Sequence, residues 1–304
     1  MSLDSVAGQL LPFAKDILRL SIWFFLLLAI FAPLEKLSSV SKHAIFRKSF
    51  LADVGFYFLN GLLPKALLVL PLAGLAWLAR TMVPASVISF SSGLPLWARA
   101  LAALVVGEFG YYWGHRLMHE IPFLWRFHSI HHNAEQMDWL VSSHTHPLDV
   151  VFGRLAGFVP MYALGLAQPL AGHRIDSVPL LFMLVGTIWG YFVHANVKWS
   201  FGWLNVLVST PAFHHWHHTR NDHVNKNYAS ILPVMDILFG SWYMPKRWPA
   251  AYGIVGHVEP GLIGQLMQPL LPAHGQLVQP VDAEQALLEP AQGSAIQAAA
   301  DLAD

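Results

Sequence analysis

The chain has 304 residues, of which 55% are hydrophobic and only 12% are charged, and its formal net charge is zero. A soluble domain carries about 25% charged residues, so this composition indicates a membrane protein. The zero net charge gives no sign of a nucleic acid partner, and the absence of cysteine excludes disulfides, thiolate-bound zinc and iron–sulfur clusters. Any metal bound by this chain is therefore held by histidine, aspartate or glutamate.

Long apolar stretches predict four to five membrane-spanning helices. The first, residues 20–34, contains no charged residue and is slightly shorter than the roughly 20 residues that cross a bilayer. The second, residues 54–79, is long enough, but its Pro64 and Pro71 predict a kinked or broken segment rather than one clean helix. Three further candidate spans follow at residues 94–113, 148–168 and 178–193.

Basic residues predict how these helices are oriented. The loop after the first span has four lysine or arginine residues between positions 36 and 48, whereas residues 81–95 have none. Cytoplasmic loops carry an excess of Lys and Arg, so the first loop is predicted to be cytoplasmic and the second to lie outside. Continued alternation brings His115, the later histidine motifs and His194 to the cytoplasmic face.

Three histidine motifs dominate the second half of the chain. A His-x3-His motif occupies residues 115–119, and His-x-x-His-His occurs at 128–132 and again at 214–218. Residues three and four positions apart share one face of a helix, so each motif is expected to aim its imidazoles in one direction. One zinc site takes about four ligands, so eight imidazoles indicate two metals with four or five nitrogens each. Imidazole binds Fe, Zn, Cu and Ni, and ligand type does not select among them.

The candidate metal ligands extend beyond these motifs. His194 lies at the predicted end of the fifth span. His146 directly precedes a proline, so it is either a metal ligand or a turn residue. Glu108, Asp138, Asp149 and Asp222 are either partners for the N–H groups of ligand imidazoles or solvated acids. The predicted ligands are His115, His119, His128, His131, His132, His194, His214, His217, His218 and His146.

These motifs and their surroundings resemble the fatty acid hydroxylase/sterol desaturase superfamily. The similarity runs through GEFGYYWGHRLMHEIPFLWRFHSIHH, THPLD, FVHANV and TPAFHHWHH, and covers roughly residues 105–245. Members are integral membrane, non-haem di-iron oxidoreductases whose cytoplasmic histidine boxes bind the two metals. The resemblance implies two iron ions (Fe2+/Fe3+), O2 as co-substrate, and hydroxylation or desaturation of an aliphatic fatty-acyl or sterol-like lipid. His144, where many relatives have Arg, and the extra His215 depart from the family pattern.

Together these features predict an all-α integral membrane, multi-pass protein with four to five transmembrane helices and a cytoplasmic histidine-rich helical cap. Residues 1–95 are predicted to form N-terminal transmembrane segments, and residues 96–260 the di-iron catalytic domain. Residues 261–304 are predicted to be a disordered low-complexity tail, since they are rich in Ala, Gln, Leu and Pro and lack Lys and Arg.

Electrons for such chemistry must reach the chain from outside. The sequence has no GxGxxG fingerprint, no cytochrome-like domain and no cysteine for an iron–sulfur centre. The predicted partners are therefore a lipid substrate, the membrane, and an external electron donor of ferredoxin or cytochrome type with its reductase.

Three other functions fit parts of the pattern. A membrane metalloprotease needs His-Glu-x-x-His, which is absent, because the pair His119–Glu120 has no second histidine. A divalent-metal transporter would place its ligands near the bilayer midplane. A bis-histidine haem protein would use paired histidines rather than three tight clusters. The transporter and the haem protein remain the alternatives, and metal identity and stoichiometry separate them from the di-iron enzyme.

Overall fold

A computed structural model describes the backbone over residues 3–42, 46–167, 177–220 and 223–271, and the side chains from residue 10 onward. Within these ranges the chain forms α-helices and short 3-10 helices and no strand; Thr219 and Tyr252 form an isolated bridge. The α-helices are α1 (Leu3–Ser38), α2 (Phe50–Met82), α3 (Ala85–Gly93), α4 (Leu96–Glu120), α5 (Pro122–His132), α6 (Pro147–Ala163), α7 (Ser177–His194), α8 (Pro211–His217), α9 (Val234–Phe239) and α10 (Gly261–Met267). The all-helical prediction is confirmed for this part of the chain.

Three helices are long and apolar enough to cross a membrane, namely Leu10–Ser38, Phe50–Met82 and Ser177–His194. Only 17–22% of each apolar window is buried inside the protein, so most of these side chains are free to contact lipid. α4 and α6 contain the other two predicted spans but are not among these three. The number of four to five spans therefore stays a prediction.

The second predicted span differs from its expectation. α2 runs without interruption through Pro64 and Pro71, so the broken segment is wrong and the kinked helix stays a prediction. Each proline removes one N–H donor, and the hydrogen bonds on either side of it suffice to continue the helix. Asn60, one turn before the first proline, donates its side-chain N–H to the carbonyls of Ser143 and Thr145. α2 is thereby tied to the segment that follows the second histidine motif.

Small residues allow α4 and α6 to pack closely. A Cβ atom added at Gly110 would lie 2.2 Å from the carbonyl oxygen of Ala156, and one at Gly114 would lie 2.4 Å from the Ala156 Cβ. Glycine permits such backbone contact between helices. The close packing brings the C-terminal end of α4, with its His-x3-His motif, next to Asp149 in the first turn of α6.

The predicted tail begins with ordered structure. Residues 261–271 form α10 and a following 3-10 turn, and a Cβ at Gly55 of α2 would lie 2.6 Å from the Leu262 side chain. Arg126 of α5 also donates to the carbonyl of Leu271. Leu262 packing against α2 accounts for the order of this stretch. Residues 272–304 of the predicted tail lie outside the described residues.

Candidate metal centre

Nine buried histidines at the ends of α4, α5, α7 and α8 form two groups. Within each group, one ring nitrogen from every histidine lies within 4.8 Å of the others, which is a spacing that can hold a metal ion. The five-histidine group consists of His115, His119, His128, His132 and His217, and the four-histidine group of His131, His194, His214 and His218. The tertiary structure therefore brings together nine of the ten predicted ligands.

Each His-x-x-His-His motif contributes to both groups, which differs from the expectation that one motif aims in one direction. In α5, His128 and His132 join the five-histidine group, while His131 joins the other. Positions four apart lie one above the other on a helix, whereas adjacent residues point about 100° apart. The His132 and His218 rings stack with centroids 4.4 Å apart, so the two groups adjoin each other.

The outer ring nitrogen of five histidines faces a hydrogen-bond acceptor. These pairs are His115 Nδ1 with the Tyr228 carbonyl at 2.7 Å, His128 Nδ1 with the Asp149 carboxylate at 3.1 Å, His131 Nδ1 with the His144 carbonyl at 3.1 Å, His194 Nδ1 with the Gly190 carbonyl at 2.6 Å, and His217 Nδ1 with the Lys226 carbonyl at 2.9 Å. A neutral imidazole has one N–H, and these acceptors assign it to Nδ1. Each inner Nε2 is therefore a lone pair, as metal-bound imidazoles require.

The inner nitrogens face one another without enough N–H groups for a network of hydrogen bonds, because His115, His128, His131 and His194 carry their N–H on Nδ1. His194 Nε2 lies 3.0–3.2 Å from the Nε2 atoms of His131, His214 and His218. In the other group, His128 Nε2 lies 3.0 Å from His115 Nε2 and 3.1 Å from His132 Nε2. Lone pairs in contact repel unless a cation is shared among them, so the donor set of each group fits a metal ion.

Burial keeps the histidines of α5 and α8, and His218 directly after α8, neutral. Desolvation, together with the neighbouring imidazoles, lowers the pKa of His131, His132, His214, His217 and His218 well below the ordinary value of 6.5. Imidazole binds a metal only in its neutral form, so these side chains are available as ligands at neutral pH.

Carboxylates around the centre play different roles from one another. Asp149 contacts a ligand imidazole, that of His128. Asp138 instead accepts the N–H groups of Leu140 and Val141 at the start of the 3-10 helix Trp139–Ser143. Glu108, another acid that the sequence analysis singled out, accepts the backbone N–H groups of residues 231 and 232. It has no hydrogen bond to an imidazole of the described residues. Asp222 lies outside the described residues.

His146, the tenth predicted ligand, does not join either group. Its Nε2 faces the carbonyl of Leu266 at 3.2 Å, and its Nδ1 accepts the N–H of Leu148 at the start of α6. Both ring nitrogens are thus engaged with backbone groups away from the centre. His146 acts as a helix cap, which agrees with the alternative interpretation of a residue at a turn before proline.

A buried charged network behind the four-histidine group was missed by the sequence analysis. His144 Nδ1 contacts Asp53 of α2, and Asp53 pairs with Arg47 at 2.7 Å. Arg47 also pairs with Asp138 at 2.5 Å. Because the His144 carbonyl accepts the N–H of His131, this network holds the backbone that orients a candidate ligand. Its residues lie about ninety positions apart in the chain, and no local motif marks them.

The loop after the third motif supplies two of the carbonyl acceptors. Asp236 accepts the N–H groups of Tyr228 and Ala229, at 2.8 and 2.9 Å. Asn227, whose φ is +62°, donates its side-chain N–H to the carbonyls of Phe213 and Tyr243. These bonds hold the backbone on either side of position 227, where the carbonyls of residues 226 and 228 face His217 and His115.

A cavity of about 660 Å³ adjoins both histidine groups. Five candidate ligands line it, namely His115, His128, His131, His194 and His214. Its apolar lining includes Leu20 and Trp23 of α1 and Phe182, Leu184 and Ile188 of α7. A long apolar substrate in this space would have one segment against the histidines and the remainder between hydrophobic helices.

Comparisons with known proteins find similarity to a family and to lipid-modifying enzymes. The fatty acid hydroxylase family model matches residues 100–241. An ornithine lipid hydroxylase of Rhizobium tropici is 34% identical over 58% of this chain and 51% of its own length. The alkylglycerol monooxygenase of Homo sapiens is 30% identical over 48% of this chain and 31% of its own length. The chain thus spans about half of the first relative and about a third of the second. No solved structure matches this chain.

Proposed function

Residues 100–241 of this chain belong to the fatty acid hydroxylase family, and from this premise we propose that the protein is an O2-dependent, non-haem di-iron oxidoreductase. Its proposed reaction is hydroxylation, or alternatively desaturation, of an aliphatic lipid. The names of the two relatives, a lipid hydroxylase and an alkylglycerol monooxygenase, support this class of substrate. The observation that carries the proposal is the convergence of bare Nε2 atoms in two adjoining groups.

We propose that the two groups hold one iron ion each. His115, His119, His128, His132 and His217 would hold the first ion, and His131, His194, His214 and His218 the second. When bound, the two ions would activate O2 as the oxidant for attack on an unactivated C–H bond. The chain contributes neutral imidazoles of fixed tautomer, and the acceptors behind them keep each ring oriented.

The cavity is suited to a substrate that arrives from the bilayer. Trp23 of α1 and Leu184 and Ile188 of α7 line it, yet they are 45–48% exposed at the protein surface. The cavity is therefore open between two helices that are long and apolar enough to span a membrane. A lipid can enter sideways from this region, and its approach to the histidines displaces water from an apolar space.

The membrane arrangement follows from the same proposal. We propose that one or both of α4 and α6 add to the three candidate spans to give four to five, with the histidine groups on the cytoplasmic face. Four basic residues between positions 36 and 48 support this orientation. A cytoplasmic centre would also meet the external ferredoxin- or cytochrome-type donor that the proposed chemistry needs.

Metal content tests the proposal directly. We expect detergent-purified protein to contain two irons per chain by elemental analysis, with no haem band in its visible spectrum. His131→Ala is expected to lose the metal of the four-histidine group and all turnover of lipid with O2 and a reductase. His257→Ala is the matched control, because His257 has a 69% exposed side chain and lies in neither group.

Two results of the metal analysis would contradict the di-iron assignment. One is a haem spectrum, and the other is one or no metal ion per chain after anaerobic reconstitution with Fe2+. Zinc in the purified protein would require that reconstitution first, because nitrogen ligands bind zinc more tightly than ferrous iron. Full turnover by His131→Ala would likewise exclude the assignment.

A further inference from the structure

Two arginines line the cavity, and their surroundings differ. Arg19 of α1 pairs with Asp16 at 2.7 Å and its side chain is 56% exposed. Arg154 of α6 is half-buried, and no carboxylate of the described residues lies within ion-pairing distance of it. It also has no hydrogen bond to that part of the chain. Arg154 is thus a permanent positive charge that lines the cavity without an ion-pair or hydrogen-bond partner among the described residues.

The two acidic residues that line the cavity already have other hydrogen-bond partners. Asp149, five residues before Arg154 on the same helix, contacts His128, and Glu108 accepts two backbone N–H groups. Among the described residues, the Tyr191 phenol is the ionisable group whose interaction with the Arg154 charge is resolved. An unpaired guanidinium among apolar helices is costly, and such charges mark functional sites in membrane proteins.

Hydrogen-bond donors accompany this charge. Tyr191 and Ser143, which both line the cavity, share one hydrogen bond of 3.0 Å between their hydroxyl oxygens. Two hydroxyl groups have two hydrogens, and the bond between them uses one, so the other can be donated to a ligand. Arg154 itself offers up to five N–H donors in a planar fork that matches a carboxylate or phosphate.

The position of Arg154 relates this charge to the histidines. Five residues of helix correspond to about 7.5 Å along the axis from Asp149, the residue that contacts His128. The backbone of Arg154 therefore lies within two turns of α6 from a residue that contacts a candidate ligand. The same cavity is also lined by the apolar side chains of Leu20, Trp23, Leu184 and Ile188.

From this arrangement we infer that Arg154 binds the anionic group, a carboxylate or a phosphate, of a lipid whose chain fills the cavity. The inference rests on the proposed function, because it names the class of lipid that the centre would oxidise. An amphiphile with one anionic group places its charge against Arg154 and Tyr191 and its chain against α1 and α7. A neutral alcohol of equal length leaves the guanidinium unpaired and is expected to bind more weakly.

The test is a binding measurement on the full chain in dodecyl maltoside, followed through the melting temperature of the protein. The probes are tetradecyl phosphate, tetradecanoate, tetradecanol and inorganic phosphate. Hydrogen bonds to a charged group predict that the two anionic amphiphiles bind about 10- to 100-fold more tightly than the alcohol. Arg154→Met is expected to abolish this preference and to leave alcohol binding unchanged. Arg80→Met, a change of an exposed arginine outside the cavity, is expected to keep it.

Several outcomes would overturn the inference. Equal affinity of the wild-type chain for the anionic amphiphiles and the alcohol is one, and a preference that survives in Arg154→Met is another. A third outcome is that inorganic phosphate alone raises the melting temperature as much as tetradecyl phosphate does, and that this rise depends on Arg154. That result would identify a site for free anions and exclude a lipid site. If Arg154→Met does not fold, Arg154→Lys is expected to bind the anions several-fold more weakly, because a point charge replaces the planar fork. Unchanged anion affinity in Arg154→Lys would overturn the assignment.

Iron content measured on the same samples separates this inference from the proposed function. If the chain prefers anionic amphiphiles through Arg154 but binds no iron after reconstitution, the lipid site stands and the di-iron assignment is excluded. If the chain binds two irons and shows no preference for anionic amphiphiles, the di-iron assignment stands and the role of Arg154 is excluded.

Discussion

The contact between Asp149 and His128 gives the sharpest test of how the centre is built. Both carboxylate oxygens of Asp149 lie near His128 Nδ1, at 3.2 and 3.1 Å, and the acid is buried. In Asp149→Asn one of these two positions becomes an NH2 group, which faces the Nδ1–H of the ring. The ring is expected to shift or to move its proton to Nε2, where the lone pair is needed for the metal.

The expected loss of metal affinity in Asp149→Asn follows from the loss of one oriented ligand among the five of this group. Removing the partner behind a ligand imidazole lowers metal affinity about 10- to 100-fold, which corresponds to about 1.4 to 2.8 kcal/mol. The loss should be confined to the five-histidine group, because Asp149 contacts no member of the other group. A chelator concentration that leaves both irons on the wild-type chain should therefore remove one of them from the variant.

The assay is an anaerobic titration of the metal-free protein with Fe2+ in competition with a chelator, with elemental analysis at each step. Asp16→Asn is the matched control, since it makes the same chemical change at a carboxylate paired with Arg19 and remote from the histidines. Identical affinities in Asp149→Asn and the wild type would refute the tautomer argument. Loss of both metals at equal chelator concentration would show that the two groups are not separate sites.

Further predictions follow from the same contacts. Asp53→Asn should weaken metal binding in the four-histidine group, because it loosens His144, whose carbonyl orients His131; unchanged Fe2+ affinity of that group would contradict this. His146→Ala should leave the iron content unchanged and lower the free energy of unfolding by about 0.5–2 kcal/mol, because it removes a helix cap; iron loss in this variant would restore His146 as a ligand. Chelated protein should have a lower melting temperature than iron-loaded protein, since its bare lone pairs repel. The chelated form should also lose stability as the pH falls below about 6.5, because the unfolded chain takes up protons at imidazoles whose pKa burial lowers in the folded state. Equal melting temperatures at pH 7.5 and pH 5.5 would refute this.

The candidate ligands could be predicted from local sequence, and nine of the ten lie in the two groups. Histidines four residues apart share one face of a helix by helix geometry alone, and the pairs His115/His119, His128/His132 and His214/His218 each stay within one group. Apolar stretches likewise predicted helices, and residues 178–193 agree closely with α7, Ser177–His194. Both signals depend on periodicity and composition, which are properties of the chain itself.

Other features depended on where distant segments meet. The division of each His-x-x-His-His motif between two groups, the exclusion of His146, and the pairing of Asp53 with His144 all arise from contacts made in the folded chain. That Arg154 has no partner in the part of the chain that the structure describes is a feature of the same kind, since any arginine in the sequence has many potential partners. Hydrogen bonds and ion pairs require atoms within about 3–4 Å. Sequence spacing sets such distances within one helix, and only the packing of helices against one another sets them between helices.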